Sequence, residues 1–147
     1  MLGGMLGIVL LVLVEAHEWA EARWCARARI VPEVDREPVE RLPKVSIHVP
    51  TYKEPPALVL ETLRALADLD YPNFEVIVVD NNTKDERLWQ PVRSWCARLG
   101  ERFRFFHVDP LPGYKAGALN FALRHAARDA SIIAVIDSDY KVDPKWL

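Results

Sequence analysis

The chain has two cysteines in 147 residues, Cys25 and Cys96, and neither stands in a CxxC pair or at metal-ligand spacing. That argues against a thiolate metal centre; both read as free thiols of a reducing compartment, with a disulfide the weaker reading. Glycine is scarce too, at six residues, and no GxGxxG follows the first strand-like run, so a dinucleotide fingerprint is absent. Positive charge is not in excess: the net charge is −2 and no aromatic–basic interleaving appears, so nucleic acid is not an expected partner. No internal repeat or low-complexity tract is present. Nor is there an apolar run of about 20 residues, the length that spans a bilayer. The longest, Leu2 to Val14, is shorter.

What is present is an ordinary globular balance, half apolar and 27% charged, enough for one domain with a core. The opening apolar run is followed by "EAHEWAEARWCARAR", with Trp19 and Trp24 just beyond it and Arg23, Arg27 and Arg29 around them. A signal peptide carries its charge before the apolar core. The order here suits the cytoplasmic end of a membrane helix. Residues 1–30 are therefore expected to be a transmembrane end with its juxtamembrane helix, the upstream half lying outside this chain. A buried or interfacial helix is the alternative. Residues 31–43, with three prolines and alternating charges, read as a linker, and 44–147 as the domain.

From Lys44 the pattern is regular. "KVSIHV" reads as a strand ended by Pro50, and "PPALVLETLRALADLD" as a helix with Val59, Leu63 and Leu66 on one face. "FEVIVVD", Phe74 to Asp80, is a strand buried on both faces. "DERLWQPVRSWCARLG" places Leu88, Val92, Trp95 and Leu99 at helical spacing, with Gly100 as the C-terminal cap; Pro91 either kinks this helix or begins its regular part. "RFRFFHV" is the third strand, and "GYKAGALNFALRHAARDA" the third helix, with Leu119, Ala122, Leu123 and Ala126 inward. Ile132 to Ile136 form a fourth, buried strand. This β-α-β-α-β-α-β order predicts a Rossmann-like α/β fold, a parallel sheet with strand order 3-2-1-4. The first and fourth strands then flank the topological switch point, where ligands bind beyond the carboxyl ends.

Three loops should meet there: "PTYKEPP", "DNNTKD" and "DSDYKVD". Asp137 and Asp139 form a pair of hard oxygen ligands suited to Mg²⁺ or Mn²⁺. Asp80 ends the second strand, where it could accept hydrogen bonds from a base or ribose. Lys115 opens the third helix, where charge and helix dipole both favour phosphate. Thr51, Tyr52 and Glu54 sit on the first loop. Taken singly, each has a simpler reading as a turn, packing or surface residue, and His48 and His107 read as core or edge histidines. Their convergence on one end of one sheet is the stronger signal. An EF-hand is excluded because Val142 stands where its glycine is needed. A haloacid-dehalogenase-type phosphatase would use Asp137 as nucleophile, but Lys141 replaces its usual Thr or Val and the motif falls on the fourth strand. That reading and a non-catalytic, membrane-tethered nucleotide-binding module stay open at this point.

Together, "VSIHVPTYKEPP", "LDYPNFEVIVVDNNTKD", "GYKAGALNFAL" and "AVIDSDYKVDPKWL" resemble the family 2 glycosyltransferases of GT-A fold. Within them the chain is most similar to bacterial membrane β-glucan synthases of the cellulose-synthase-like and cyclic β-glucan synthase group. The resemblance covers Lys44 to Leu147. It implies transfer of a sugar, glucose from UDP-glucose, to a growing β-glucan with inversion and a Mg²⁺ or Mn²⁺ cofactor. It implies that Asp137 and Asp139 hold the metal, and that Asp137, Lys115, Thr51, Tyr52, Glu54 and Asp80 bind the nucleotide sugar. Two departures stand out: Asn81 and Asn82 replace the family's second acid, and Lys53 replaces a polar residue. The family's base, an Asp in a TED-like motif, is expected downstream of Leu147, so this chain is expected to hold the donor-binding half without turnover. The implied location is the bacterial inner membrane with the catalytic domain cytoplasmic.

Overall fold

A computed structural model describes residues 2–24 and 42–147. Two compact units, Met1–Val39 and Glu40–Leu147, are described separately. In the first, α1 (Leu2–Trp24) is one continuous helix in which Trp19 and Trp24 meet edge to face at 5.4 Å. Its apolar part is followed within the same helix by Glu15, Glu18 and Glu21. Among the described residues, no helix is long and apolar enough to cross a membrane. Cys25, Arg27, Arg29 and the expected linker through residue 41 lie outside the described residues.

The second unit alternates strands and helices: β1 (Lys44–Thr51), α2 (Pro56–Ala67), β2 (Phe74–Asn81), α3 (Glu86–Leu99), β3 (Phe103–Val108), α4 (Tyr114–His125) and β4 (Ala130–Val135). All neighbouring strands are parallel and the order is β3-β2-β1-β4, the doubly wound arrangement expected from the sequence. Side chains alternate across the sheet. Val45, Ile47, Val49, Phe74, Val76 and Val78 therefore pack on one side with Val59, Leu63, Leu66, Val92 and Cys96 of α2 and α3. Ile77 and Val79 pack on the other with Ala118 and Ala122 of α4. Each fully buried side chain such as Ile47 or Leu63 contributes about 1.5–3 kcal/mol by leaving water.

The helix ends follow from local chemistry. Pro56 occupies the first turn of α2, where a missing N–H costs nothing. The Asp85 side chain caps α3 by accepting from Arg87 N at 3.0 Å, and Gly100, at φ 95°, ends it. Pro91 neither breaks α3 nor starts it; the helix runs through it on its exposed side.

Three expectations are corrected. β1 does not end before Pro50 but continues through it to Thr51. The His48 carbonyl accepts from Ile136 N at 3.0 Å, so Pro50, two residues on, turns its missing N–H to the same side, where β4 has already ended. Secondly, among the described residues β4 is not buried. As an edge strand it leaves Ile132, Ile133 and Val135 between 43% and 47% exposed. Thirdly, Leu123 points outward at 54% exposure, and Ala118 takes the inward place beside Ala122, since α4 packs over β1 and β2 rather than β4.

Candidate functional site

The carboxyl ends of β1, β2 and β4 open into a cleft of about 520 Å³, lined by the loops after these strands and by the start of α4. Thr51, Tyr52, Glu54, Lys115, Asp137 and Asp139 all line it, with Pro50, Asn81, Asn82, Tyr114 and Ser138. Six of the seven residues singled out in the sequence are thus brought together. Asp80 stands behind the wall instead, 3% exposed and fully engaged in hydrogen bonds.

The strand-end pair owes its presentation to the turn that follows β4. Ile136 packs into the core, and the next three residues, Asp137, Ser138 and Asp139, all reach the cleft. Thr62 Oγ1 of α2 donates to the Ser138 carbonyl at 2.8 Å and fixes this turn to the helix. Asp137 is ion-paired with Lys115, whose side chain rises from the first turn of α4. Two outward carboxylates with one cationic neighbour are a hard-oxygen donor set. They fit a divalent cation that completes its shell with water and diphosphate oxygens. Among the described residues no cluster of three or more His, Cys, Asp or Glu side chains could hold a metal unaided.

The α4 entrance is built by close backbone approach. Gly113 precedes α4 in the left-handed conformation at φ 88°, and a Cβ on Gly117 would lie 1.9 Å from the Pro112 carbonyl oxygen. Asn82 brackets this loop: its Nδ2 donates to the Leu111 carbonyl at 2.7 Å and its Oδ1 accepts from Leu111 N at 2.8 Å. Among the described residues the non-glycine positive-φ positions are Lys53, Asn82 and Tyr114: Asn82 and Tyr114 line the cleft, and Lys53 stands between the lining residues Tyr52 and Glu54. Such conformations concentrate where a ligand site over-determines the backbone.

Several residues here escape sequence reasoning. Asn82 belongs to a polar run that in sequence marks only a turn, Thr62 and Ser138 carry no sequence signal, and Tyr114, 85% exposed at the rim, stands out only as the neighbour of Lys115. His107 was read as a core or edge histidine; its Nδ1 lies 2.8 Å from Asp80 Oδ2. The one available hint was alternation along "RFRFFHV", which puts His107 on the same side as Phe103 and Phe105.

Residues 46–147 match the family model described as glycosyl transferase family 2. The probable glucomannan 4-beta-mannosyltransferase 9 of Oryza sativa subsp. japonica is 34% identical over 71% of this chain and 21% of its own length. The cellulose synthase catalytic subunit (UDP-forming) of Xanthomonas axonopodis pv. citri is 30% identical over 73% of the chain and 14% of its own. Among solved structures, the mannosyltransferase PcManGT of Pyrobaculum calidifontis, in complex with GDP-Man and Mn²⁺, is 31% identical at a TM-score of 0.57. That match covers 84% of this chain and 34% of the other. The chain spans about a fifth of the length of the first curated relatives it matches. The four-strand parallel sheet agrees with the GT-A expectation, and the phosphatase reading of the strand-end pair falls away. A family match over most of the chain, on a sheet whose order and cleft agree with it, establishes that this chain belongs to glycosyl transferase family 2.

Proposed function

We propose that the protein is a hexosyltransferase that transfers glucose from UDP-glucose to a growing β-glucan with inversion, and that this chain holds its donor site. The observation that supports it most is the meeting of Asp137, Asp139 and Lys115 at one cleft on the switch point of a family 2 chain. The glucose and β-glucan assignments draw on the motif resemblance and on the likeness to a UDP-forming cellulose synthase.

In this reading Asp137 and Asp139 would hold Mg²⁺ or Mn²⁺, and the bound cation supplies Lewis-acid stabilisation of charge on the departing diphosphate. Lys115 binds the same diphosphate as a fixed positive charge at the start of α4, where the helix dipole adds to it. Thr51, Tyr52 and Glu54 form the nucleoside side of the cleft, and Asp80 supports that side from behind. Attachment to the bacterial inner membrane, catalytic domain cytoplasmic, belongs to the same proposal. It rests on the apolar run Leu2 to Val14 followed by Trp19 and Arg23.

Calorimetry on the full-length protein tests the assignment. UDP-glucose should bind with Mn²⁺, lose that binding in EDTA, and fail to bind Asp137→Ala or Asp139→Ala in a cation-dependent way. Cation-dependent binding that survives in both variants would overturn the metal assignment. Preference for GDP-mannose would overturn the choice of donor.

A further inference from the structure

The α2/α3 face of the sheet ends in a polar rung with one member from each of three strands. Parallel pairing sets Thr51 opposite Asp80 and Asp80 opposite His107. In the preceding rung, Val49, Val78 and Phe105 stand in the same relation, so the change from apolar to polar is abrupt. Asp80 Oδ1 accepts from Thr51 Oγ1 at 3.2 Å and from Thr83 Oγ1 at 2.7 Å. Oδ2 lies 2.8 Å from His107 Nδ1. Thr83 Oγ1 in turn accepts from the backbone N–H of Lys53 at 2.9 Å, which holds that residue at φ 53°. A carboxylate with this little solvent needs donors on both oxygens. The two hydroxyls serve one oxygen, and His107 serves the other.

The imidazole is itself seated. Trp89 of α3 lies face to face with it, centroids 4.4 Å apart and planes 13° from parallel. Because an ionised carboxylate only accepts, the hydrogen between the two groups belongs on His107 Nδ1. His107 is not among the residues that line the cleft, and it therefore acts at one remove.

We infer that His107 is a positioning residue for the nucleotide cleft. It holds the buried Asp80 carboxylate, and Asp80 holds, through Thr51 and Thr83, the ends of β1 and β2 and the loops after them, which carry Tyr52, Glu54 and Asn82. The ligand in this inference rests on the donor-binding reading above; the loop anchoring does not.

The test uses the full-length protein with His107→Leu, which removes the donor, and His107→Asn, which keeps an N–H near the place of Nδ1. UDP affinity with Mn²⁺ is measured by calorimetry, and amide hydrogen exchange at Lys53 is measured without nucleotide. His107→Leu should weaken UDP binding and speed Lys53 exchange about tenfold each, the scale of one hydrogen bond to a charged group. His107→Asn should recover most of both losses. Equal losses in the two variants, or no change in His107→Leu, overturn the inference. If the wild-type protein binds neither UDP nor GDP, the donor-binding reading fails, and Lys53 exchange alone still decides the anchoring role. Should His107→Leu not fold, Trp89→Leu unseats the ring and must shift Lys53 exchange in the same direction. No shift there also overturns the inference.

Discussion

The Lys115 ammonium lies on the Asp137 carboxylate and joins the first turn of α4 to the segment that follows β4. Both side chains are about half exposed, so the pair contributes under about 1 kcal/mol to stability. Its larger consequence is for charge in the cleft, because Lys115 neutralises one of two neighbouring acids. In Lys115→Met, Mn²⁺ added without nucleotide should bind more tightly. UDP in the presence of Mn²⁺ should bind about tenfold more weakly, having lost a charged partner. Calorimetry of each ligand checks the opposite signs, and a fall in both would show that Lys115 supports the fold rather than tunes charge.

Below the sheet end, a second polar cluster predicts a pH dependence. His48 is 1% exposed and its Nε2 lies 3.1 Å from Ser46 Oγ, which donates to Glu75 Oε1 at 2.8 Å. Glu75 also accepts from Ala127 N at 2.7 Å and from Arg104 at 3.3 Å. Burial lowers the His48 pKa below its ordinary 6.5, and the Glu75 charge offsets part of that. The unfolded chain then binds a proton that the folded chain resists, so stability is full above about 6.5 and falls as pH drops through that value. Urea unfolding at a series of pH values should show this slope, at most about 1.4 kcal/mol per pH unit for one proton. His48→Gln should flatten it; an equal slope in the variant would move the effect to another group.

Cys96 is 1% exposed in the core, and burial pushes its thiol up to about 12. At pH 8 the thiolate fraction is then on the order of 10⁻⁴, and the thiolate is the reactive form. In a Cys25→Ser background the native protein should be inert to an aromatic disulfide reagent and should react fully once unfolded in guanidinium. Rapid native labelling would contradict the packing of α3 against the sheet.

Gly117 sits where a Cβ would meet the Pro112 carbonyl oxygen at 1.9 Å. Backbone atoms cannot yield as a flexible side chain can, so Gly117→Ala must displace the loop before α4 or strain the helix. Overpacking of this kind costs about 1–3 kcal/mol. Thermal unfolding should show the loss, and UDP affinity should fall with it because that loop leads directly into Tyr114 and Lys115, which line the cleft from the first turn of α4.

Much of this was legible in the string. Short apolar runs and the 3.6-residue period placed every strand and helix of the domain, and the doubly wound pattern with right-handed crossovers gave 3-2-1-4 as the simplest order. With that order, the loops bearing Tyr52, Lys115 and Asp137 had to meet at one end of the sheet. These are local patterns under one global rule, and a single sequence contains both.

Tertiary structure decided what depends on register and neighbours. Asp80 and His107 are far apart in sequence, and only parallel pairing sets them on one rung and turns Asp80 from a cleft residue into a support. The run Ile132 to Ile136 looks like a buried strand until the sheet order leaves β4 at an edge. Pro50 looks like a stop until the shorter neighbour leaves it no hydrogen bond to lose. The sequence by itself determined which elements form and where their loops converge, because periodicity and handedness are local. Which polar group faces ligand and which faces another side chain was decided by contact between distant segments, where burial makes each hydrogen-bond partner obligatory.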